Sequence, residues 1–340
     1  MRSWRRGPAV ALIGLTSVVA SVSFAGGGLA SAASKPAKQT PTLLPISVAT
    51  SGATGNSSPL YTGFEIGIYK RYGLAMTVDP LTPTASVAAV LNGNVDIADD
   101  GPGMVAGIVA AGTAKVIFTN GVADFQLWAK SNITSISQLR GGTIGVTTPG
   151  GGIDTAARLG LVANHLIPGK DVSMAYLNTN GASLAGVENG KVTAAALSPP
   201  TTIQAREAGL HEILSLVKWS TGSVWAVNSS FAKHHRATVI RFIRAFCAVT
   251  NKAKHVESYS EAGLRDYAGI TDQAQLAGVW QSYKGLWACA PYPSSQMRAV
   301  MRSITPPLNA SPKDLTDNTF INAIGLNNQV VPPSVRPGTQ

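Results

Sequence analysis

The residues best suited to chemistry in this chain are two hydroxyls and a run of glycines, Thr147-Thr148-Pro149-Gly150-Gly151-Gly152, set just before a helical pattern over 154–166. The start of a helix leaves backbone N–H groups without partners, and glycines let a ligand approach them. Thr147, Thr148, Gly150 and Gly151 together therefore suit an oxygen-rich or anionic group. Asp154 works against a full negative charge there, because its own carboxylate already sits at the helix N-terminus. A second feature, Asp99-Asp100, sets two carboxylates side by side and favours a donor-rich or cationic group. A ligand carrying both kinds of group, such as an amino-sulfonate, would reconcile them. Each feature also has a plainer reading: Asp99 and Asp100 as caps of a helix at Pro102, and 149–152 as a tight turn.

Other chemistries fail on spacing. A phosphate loop needs G-x-x-x-x-G-K-[ST], but after Gly145 and Gly150 comes Gly151 where the lysine belongs. A dinucleotide fingerprint fails because Thr155 takes the position of its last glycine. No G-x-S-x-G elbow is present. The five histidines, His165, His211, His234, His235 and His255, show no H-x-x-x-H spacing, so structural or exposed roles fit them better than metal or base roles. The chain reads as a binder without cofactor or metal rather than an enzyme. Its two cysteines, Cys247 and Cys289, suit a disulfide if the chain is exported, with two buried free thiols as the other reading.

The elements that must position these groups alternate. A strand at 46–50 leads through the small-residue loop 51–58 to a helix at 59–72, with Ser58 as its cap and Pro59 in its first turn. Strands at 75–79, 95–98 and 115–119 follow, separated by helices at 86–91 and 102–111. This β-α series predicts an open, mostly parallel sheet flanked by helices. From Asp124 an extended crossover leaves this lobe, and a second series begins. It comprises a short helix at 136–139, strands at 143–147, 173–177, 193–197 and 211–216, and helices at 154–166, 182–189 and 201–208. The stretch 223–228 reads as the return crossover. One lobe is thus expected from 46–123 with 229–340, and another from 124–228, joined by two crossover strands.

In such sheets the loops at the carboxyl ends of the strands face the crevice. The first lobe then offers Ser51, Thr54, Tyr61, Asp99 and Asp100. The second offers Thr147, Thr148, Gly150, Gly151, Asn178, Asn180 and Ser198. The hinge side offers Asp124, Phe125 and Trp225. Beyond the crossovers, Val239, Phe242, Ile243, Phe246 and Val249 recur at helical spacing and leave a basic face with Arg241, Arg244 and Lys252. Trp280, Tyr283, Trp287 and Tyr292 read as core rather than as a ligand platform.

The first 33 residues read as a cleaved signal peptide: Arg2, Arg5 and Arg6, then an apolar run over 9–24, then Ala30-Ser31-Ala32. A flexible leader over 34–45 follows. No cysteine lies near the cleavage point, so a periplasmic or secreted protein without lipid anchor is expected. The charge of +10 falls to about +7 without those arginines and is dispersed, with no basic stripe for nucleic acid.

Several segments resemble a known family. Pro59-Leu-Tyr-Thr-Gly-Phe-Glu-Ile-Gly-Ile-Tyr-Lys-Arg-Tyr-Gly-Leu74 is similar to P-x-x-x-A-x-x-x-G-[YF]-[FY]-x-x-x-G-L, and Leu91-Asn-Gly-Asn-Val-Asp-Ile-Ala98 to L-x-x-G-x-[VA]-D-[IF]-[AG]. Gly142-Thr-Ile-Gly-Val146 resembles the G-K-x-I-G-V strand of a second lobe, and Val187-Glu-Asn-Gly-Lys-Val192 with Ala194-Ala195-Ala196 resembles a second L-x-x-G-x-V-D-A-A element, with Thr193 in place of its Asp. These are motifs of the substrate-binding proteins of ABC importers, in the nitrate/sulfonate/taurine and thiamine-pyrimidine (NMT1/THI5-like) branch. The resemblance implies a type II periplasmic-binding-protein fold, a monomer closing over a small molecule, and delivery to an ABC permease with its ATPase. A sulfonate- or taurine-like ligand is expected. A heteroaromatic thiamine-precursor-like ligand, or a role as periplasmic sensor, is the alternative.

Overall fold

The computed structural model describes residues 42–50, 54–304, 306–325 and 328–330. The expected signal peptide, most of the expected leader and Ser51 lie outside the described residues.

The first β-α series forms as its hydrophobic rhythm predicts. β1 (Leu44–Thr50) runs parallel to β2 (Leu74–Pro80), with Leu44 and Pro45 already opposite Leu74 and Ala75. Leu44 and Pro45, expected in the leader, therefore belong to β1. The helix expected over 59–72 is two helices, α1 (Ser58–Glu65) and α2 (Ile68–Arg71). Gly67 breaks it with a φ of 62°, a conformation that costs a residue without Cβ little. Ser57, not Ser58, stands at the cap position of α1, and Pro59 lies in the first turn, where its missing N–H matters least. α3 (Pro83–Asn92) starts at the Thr82 hydroxyl, which accepts from the Ala85 N–H. Then come β3 (Ile97–Asp100), α4 (Met104–Ala111) and β4 (Ala114–Gly121).

After β4 the chain crosses over and enters a second sheet as β5 (Gln126–Ala129). The second series is β6 (Thr143–Val146), α5 (Gly152–Ala163), β7 (Ser173–Tyr176), α6 (Asn180–Glu188), β8 (Ala194–Leu197), α7 (Thr201–Glu207) and β9 (His211–Ser215). The chain then returns as β10 (Val224–Asn228). It closes with α8 (Ser229–His234), α9 (Arg236–His255), α10 (Glu257–Ala268), α11 (Gln273–Tyr283), β11 (Trp287–Ala290), α12 (Ser294–Ser303), α13 (Pro312–Leu315) and α14 (Thr319–Asn322).

The two sheets repeat one plan. Their orders are β11-β4-β10-β3-β1-β2 and β7-β6-β8-β5-β9. In each, the first strand of the local series runs parallel to the second and third, and the strand that arrives from the other lobe is inserted antiparallel between the third and the fourth. The stretch 223–228, expected as the return crossover, is therefore mostly an inner strand of the first sheet. The return crossing itself falls over 216–223.

Burying apolar side chains on both faces of each sheet holds the lobes together, at about 1.5–3 kcal/mol for each large one. One face of the first sheet presents Ile46, Val48, Ile97 and Trp225 to the α9 residues Phe242, Ile243 and Phe246. The other face carries Ala98 and Val224 against Met297 and Val300 of α12. The apolar stripe expected on α9 is buried, while Arg241, Arg244 and Lys252 are exposed. Cys247 of α9 and Cys289 of β11 are joined by a disulfide with Cα atoms 5.1 Å apart.

Candidate ligand-binding site

The carboxyl ends of both sets of parallel strands meet at one cavity of about 400 Å³. From the first lobe, Thr54, Asn56 and Ser57 reach it from the loop after β1, and Asp99 and Asp100 from the end of β3. From the second lobe come Thr147, Thr148, Gly151 and Gly152 after β6, Asn178, Thr179 and Asn180 after β7, and Ser198 after β8. The crossings supply Ala123, Phe125 and the run Ser220-Thr221-Gly222-Ser223, and α11 supplies Tyr283.

Local hydrogen bonds fix these loops. The Thr54 N–H donates to the Ser57 hydroxyl at 2.8 Å, and the Trp287 indole N–H holds the Gly55 carbonyl at 2.9 Å. Asn56 donates its amide to the Ser223 hydroxyl at 2.5 Å, tying the β1 loop to the return crossing. The Ala123 N–H donates to the Ser220 hydroxyl, which ties the outgoing crossing to the return one. In the second lobe Asn178 adopts a φ of 68°, tolerable for asparagine, and donates its N–H to the Thr147 carbonyl. Asn180 donates to the Ser198 hydroxyl at 3.1 Å.

The acid pair stands in β3 itself, because that strand runs two residues further than expected. Asp99 lies opposite Thr50 of β1 and Trp225 of β10. Neither carboxylate caps α4, whose cap position is Gly103 with no side-chain bond. One oxygen of Asp100 accepts the Gly101 N–H at 2.6 Å; its other oxygen, and Oδ1 of Asp99, have no partner. Burial, and then the neighbouring Asp100 charge, push the Asp99 carboxyl well above the usual range, and the Ser223 hydroxyl bonded to it pulls it down. Burial pushes Asp100 up to about 7, against the lowering pull of the Gly101 N–H. The pair therefore holds a proton near neutrality in the absence of a counter-charge.

The start of α5 is less open to an anion than its glycines suggest. Asp154 is buried in the first turn, where it accepts the Gly150 N–H at 2.9 Å and the Arg158 guanidinium at 2.8 Å. The helix thus carries its own carboxylate, and that carboxylate has its own cation.

Four sequence candidates are placed elsewhere. Tyr61 is buried in the first-lobe core against Tyr267, with ring centroids 4.8 Å apart; burial, and then the Asp99 charge, push its hydroxyl up to about 12. Trp225 points into the same core and stacks on Phe118 at 5.0 Å, because its strand lies inside the sheet. Gly150 is turned toward Asp154 rather than the cavity. Asp124 accepts the Gln126 amide on both carboxylate oxygens, is also bonded by the Ser282 hydroxyl, and does not line the cavity. Ser51 lies outside the described residues. Conversely, Asn56, Ser57 and 220–223 are cavity residues the sequence reading passed over, although their small polar types beside predicted strand ends were a usable signal. Tyr283, read as core, is buried and lines the cavity as well.

Across the cavity mouth the lobes touch backbone to backbone. A Cβ added to Gly101 would stand 2.9 Å from the Gly152 nitrogen, and one on Gly103 would stand 3.0 Å from the Gly150 carbonyl. Gln204 of α7 also donates to Gln275 of α11. Among the described residues no group of three or more His, Cys, Asp or Glu is placed to hold a metal, and no helix is long and apolar enough to cross a membrane.

A family model described as NMT1/THI5 like matches residues 54–254, which include every cavity residue named above except Tyr283. Among solved structures, the periplasmic aliphatic sulphonate binding protein of Escherichia coli superposes with a TM-score of 0.67 at 15% identity, over 82% of this chain and 99% of that one. A periplasmic sulfonate-binding protein from Methylobacillus flagellatus gives 0.66 at 14%, over 84% and 94%. The periplasmic nitrate-binding protein of Synechocystis gives 0.57 at 14%, over 72% and 70%. At these identities the likeness is one of fold, the two-lobed α/β arrangement of type II periplasmic binding proteins. A search of curated protein sequences found no match.

Proposed function

Because this chain belongs to the NMT1/THI5-like family, we propose that it is an extracytoplasmic solute-binding protein, which captures a small polar organic ligand between its lobes and hands it to an ABC permease. The carrying observation is the cavity at the carboxyl ends of both sheets, with polar groups converging from two lobes that two crossings join. A ligand bound to both walls stabilises the closed arrangement, and a permease that binds this arrangement better than the open one receives loaded protein selectively. Export by a cleaved signal peptide and action as a monomer belong to the same reading. A flat heteroaromatic ligand is the second reading, favoured by the rings of Phe125 and Tyr283 in the lining.

Native mass spectrometry of the protein as purified tests the proposal. A retained small molecule, released on unfolding and rebound with compaction in small-angle scattering, is the expected result. Turnover of that molecule, or a protein that neither retains nor compacts around any compound of a broad thermal-shift panel, would overturn it.

A further inference from the structure

Resting on the binding reading above, we propose that the group recognised by the first lobe is a protonated nitrogen, an ammonium or a guanidinium, seated on Asp99 and Asp100. This narrows the expectation of a sulfonate- or taurine-like ligand to one that carries a protonated nitrogen.

The first support is unmet hydrogen-bonding capacity. Asp99 is 4% exposed and Asp100 8%; both line the cavity, and each has a buried oxygen without a partner. Oδ1 of Asn56 and Oδ1 of Asn180, both on the same lining, are buried and unpartnered as well. Buried acceptors without donors are costly, so the four oxygens together define a ligand that donates several hydrogen bonds. Charge is the second support. Among the described residues that line the cavity there are two aspartates and no lysine, arginine or histidine. An anion there would meet like charge with no compensation, whereas a cation lets both carboxylates ionise. The third is the state of the opposite wall. Asp154 and Arg158 already answer the start of α5, which leaves Thr147 and Thr148 to take a neutral or weakly charged oxygen at the far end of the ligand.

The test is calorimetric titration of the mature protein with agmatine, putrescine, taurine, ethanesulfonate and nitrate, alongside identification of any compound retained on purification. Taurine and ethanesulfonate differ by the amino group and isolate its contribution. The expected result is binding only by nitrogen-bearing cations or zwitterions, with taurine at least 100-fold tighter than ethanesulfonate if it binds. Asp99→Asn and Asp100→Asn should each then weaken the bound compound at least 10-fold. If Asp99→Asn fails to fold, Asp100→Asn and the wild-type ranking decide the matter. Tighter binding by ethanesulfonate or nitrate, or a retained compound without a protonated nitrogen, overturns the proposal and leaves the binding function standing. No retained compound, and no binding by any of these probes or by any compound of the broad thermal-shift panel, overturns both.

Discussion

Replacing Gly101 with alanine should weaken ligand binding while leaving the unliganded protein intact. Gly101 has a negative φ, which alanine adopts without strain, so neither β3 nor α4 has a local reason to suffer. Across the cavity mouth, however, the new Cβ would stand 2.9 Å from the Gly152 nitrogen, 3.5 Å from the Gly151 carbonyl carbon and 3.6 Å from its Cα. Ordinary carbon contacts lie at about 3.5–4.0 Å, so the lobes must part by roughly half an ångström or more at this seam. The nearest atom is backbone and cannot swing aside. Overpacking of this kind costs about 1–3 kcal/mol. That cost falls on the closed arrangement alone, and translates into about 5- to 150-fold weaker binding. Calorimetric titration with the compound recovered from the purified protein measures the loss, and scattering of the bound form measures the gap. Gly285→Ala, with nothing within 4 Å of its added Cβ, is the control. Wild-type affinity in Gly101→Ala would refute the reasoning. So would a fall in unliganded stability as large as the fall in binding energy, since the seam would then be part of the static core.

Three further outcomes are expected. Burial raises Asp100 from 3.8 to about 7, so its contribution to folding is complete below about pH 4 and is lost as pH rises through 7. In urea unfolding without ligand, Asp100→Asn should gain on wild type between pH 4.5 and 7.5 by up to about 3 kcal/mol; parallel curves would mean that the burial is not felt. Removing the disulfide, which spans 42 residues, by Cys247→Ala with Cys289→Ala should cost about 4 kcal/mol on the chain-entropy account, read as a lower urea midpoint. Thr148→Val should weaken binding severalfold with a melting temperature close to wild type, because the hydroxyl borders the cavity rather than the core; unchanged affinity would return the glycine loop to a mere turn.

Much of this site is legible from chain order alone. Parallel strands deliver their following loops to one edge, so strand order alone points to Thr54, Asp99, Thr147, Asn178 and Ser198, and all five line the cavity. Topology failed where strands join out of order. Nothing local in Val224-Trp-Ala-Val-Asn228 says that it is inserted between β3 and β4, and that insertion buries Trp225. The same limit applies to helix faces. Tyr61 and Tyr283 both lie on helices with mixed faces, and only the packing of Tyr267 on one and the crossings beside the other turn the first inward and the second toward the cavity. Only the plainer reading of the acid pair, as helix caps, fails on register: two extra residues of β3 pairing make Asp99 and Asp100 strand-end carboxylates.

The glycine seam also works as a caliper. Its jaws are main chain, so they cannot give by rotating a side chain, and the gap they close on is set by the lengths of β3 and β6 rather than by any adjustable group. A homologous series of cargoes, lengthened one methylene at a time, should therefore meet a sharp cut-off: members that fit are shut away from water, and the first that is too long holds the jaws apart along their whole length.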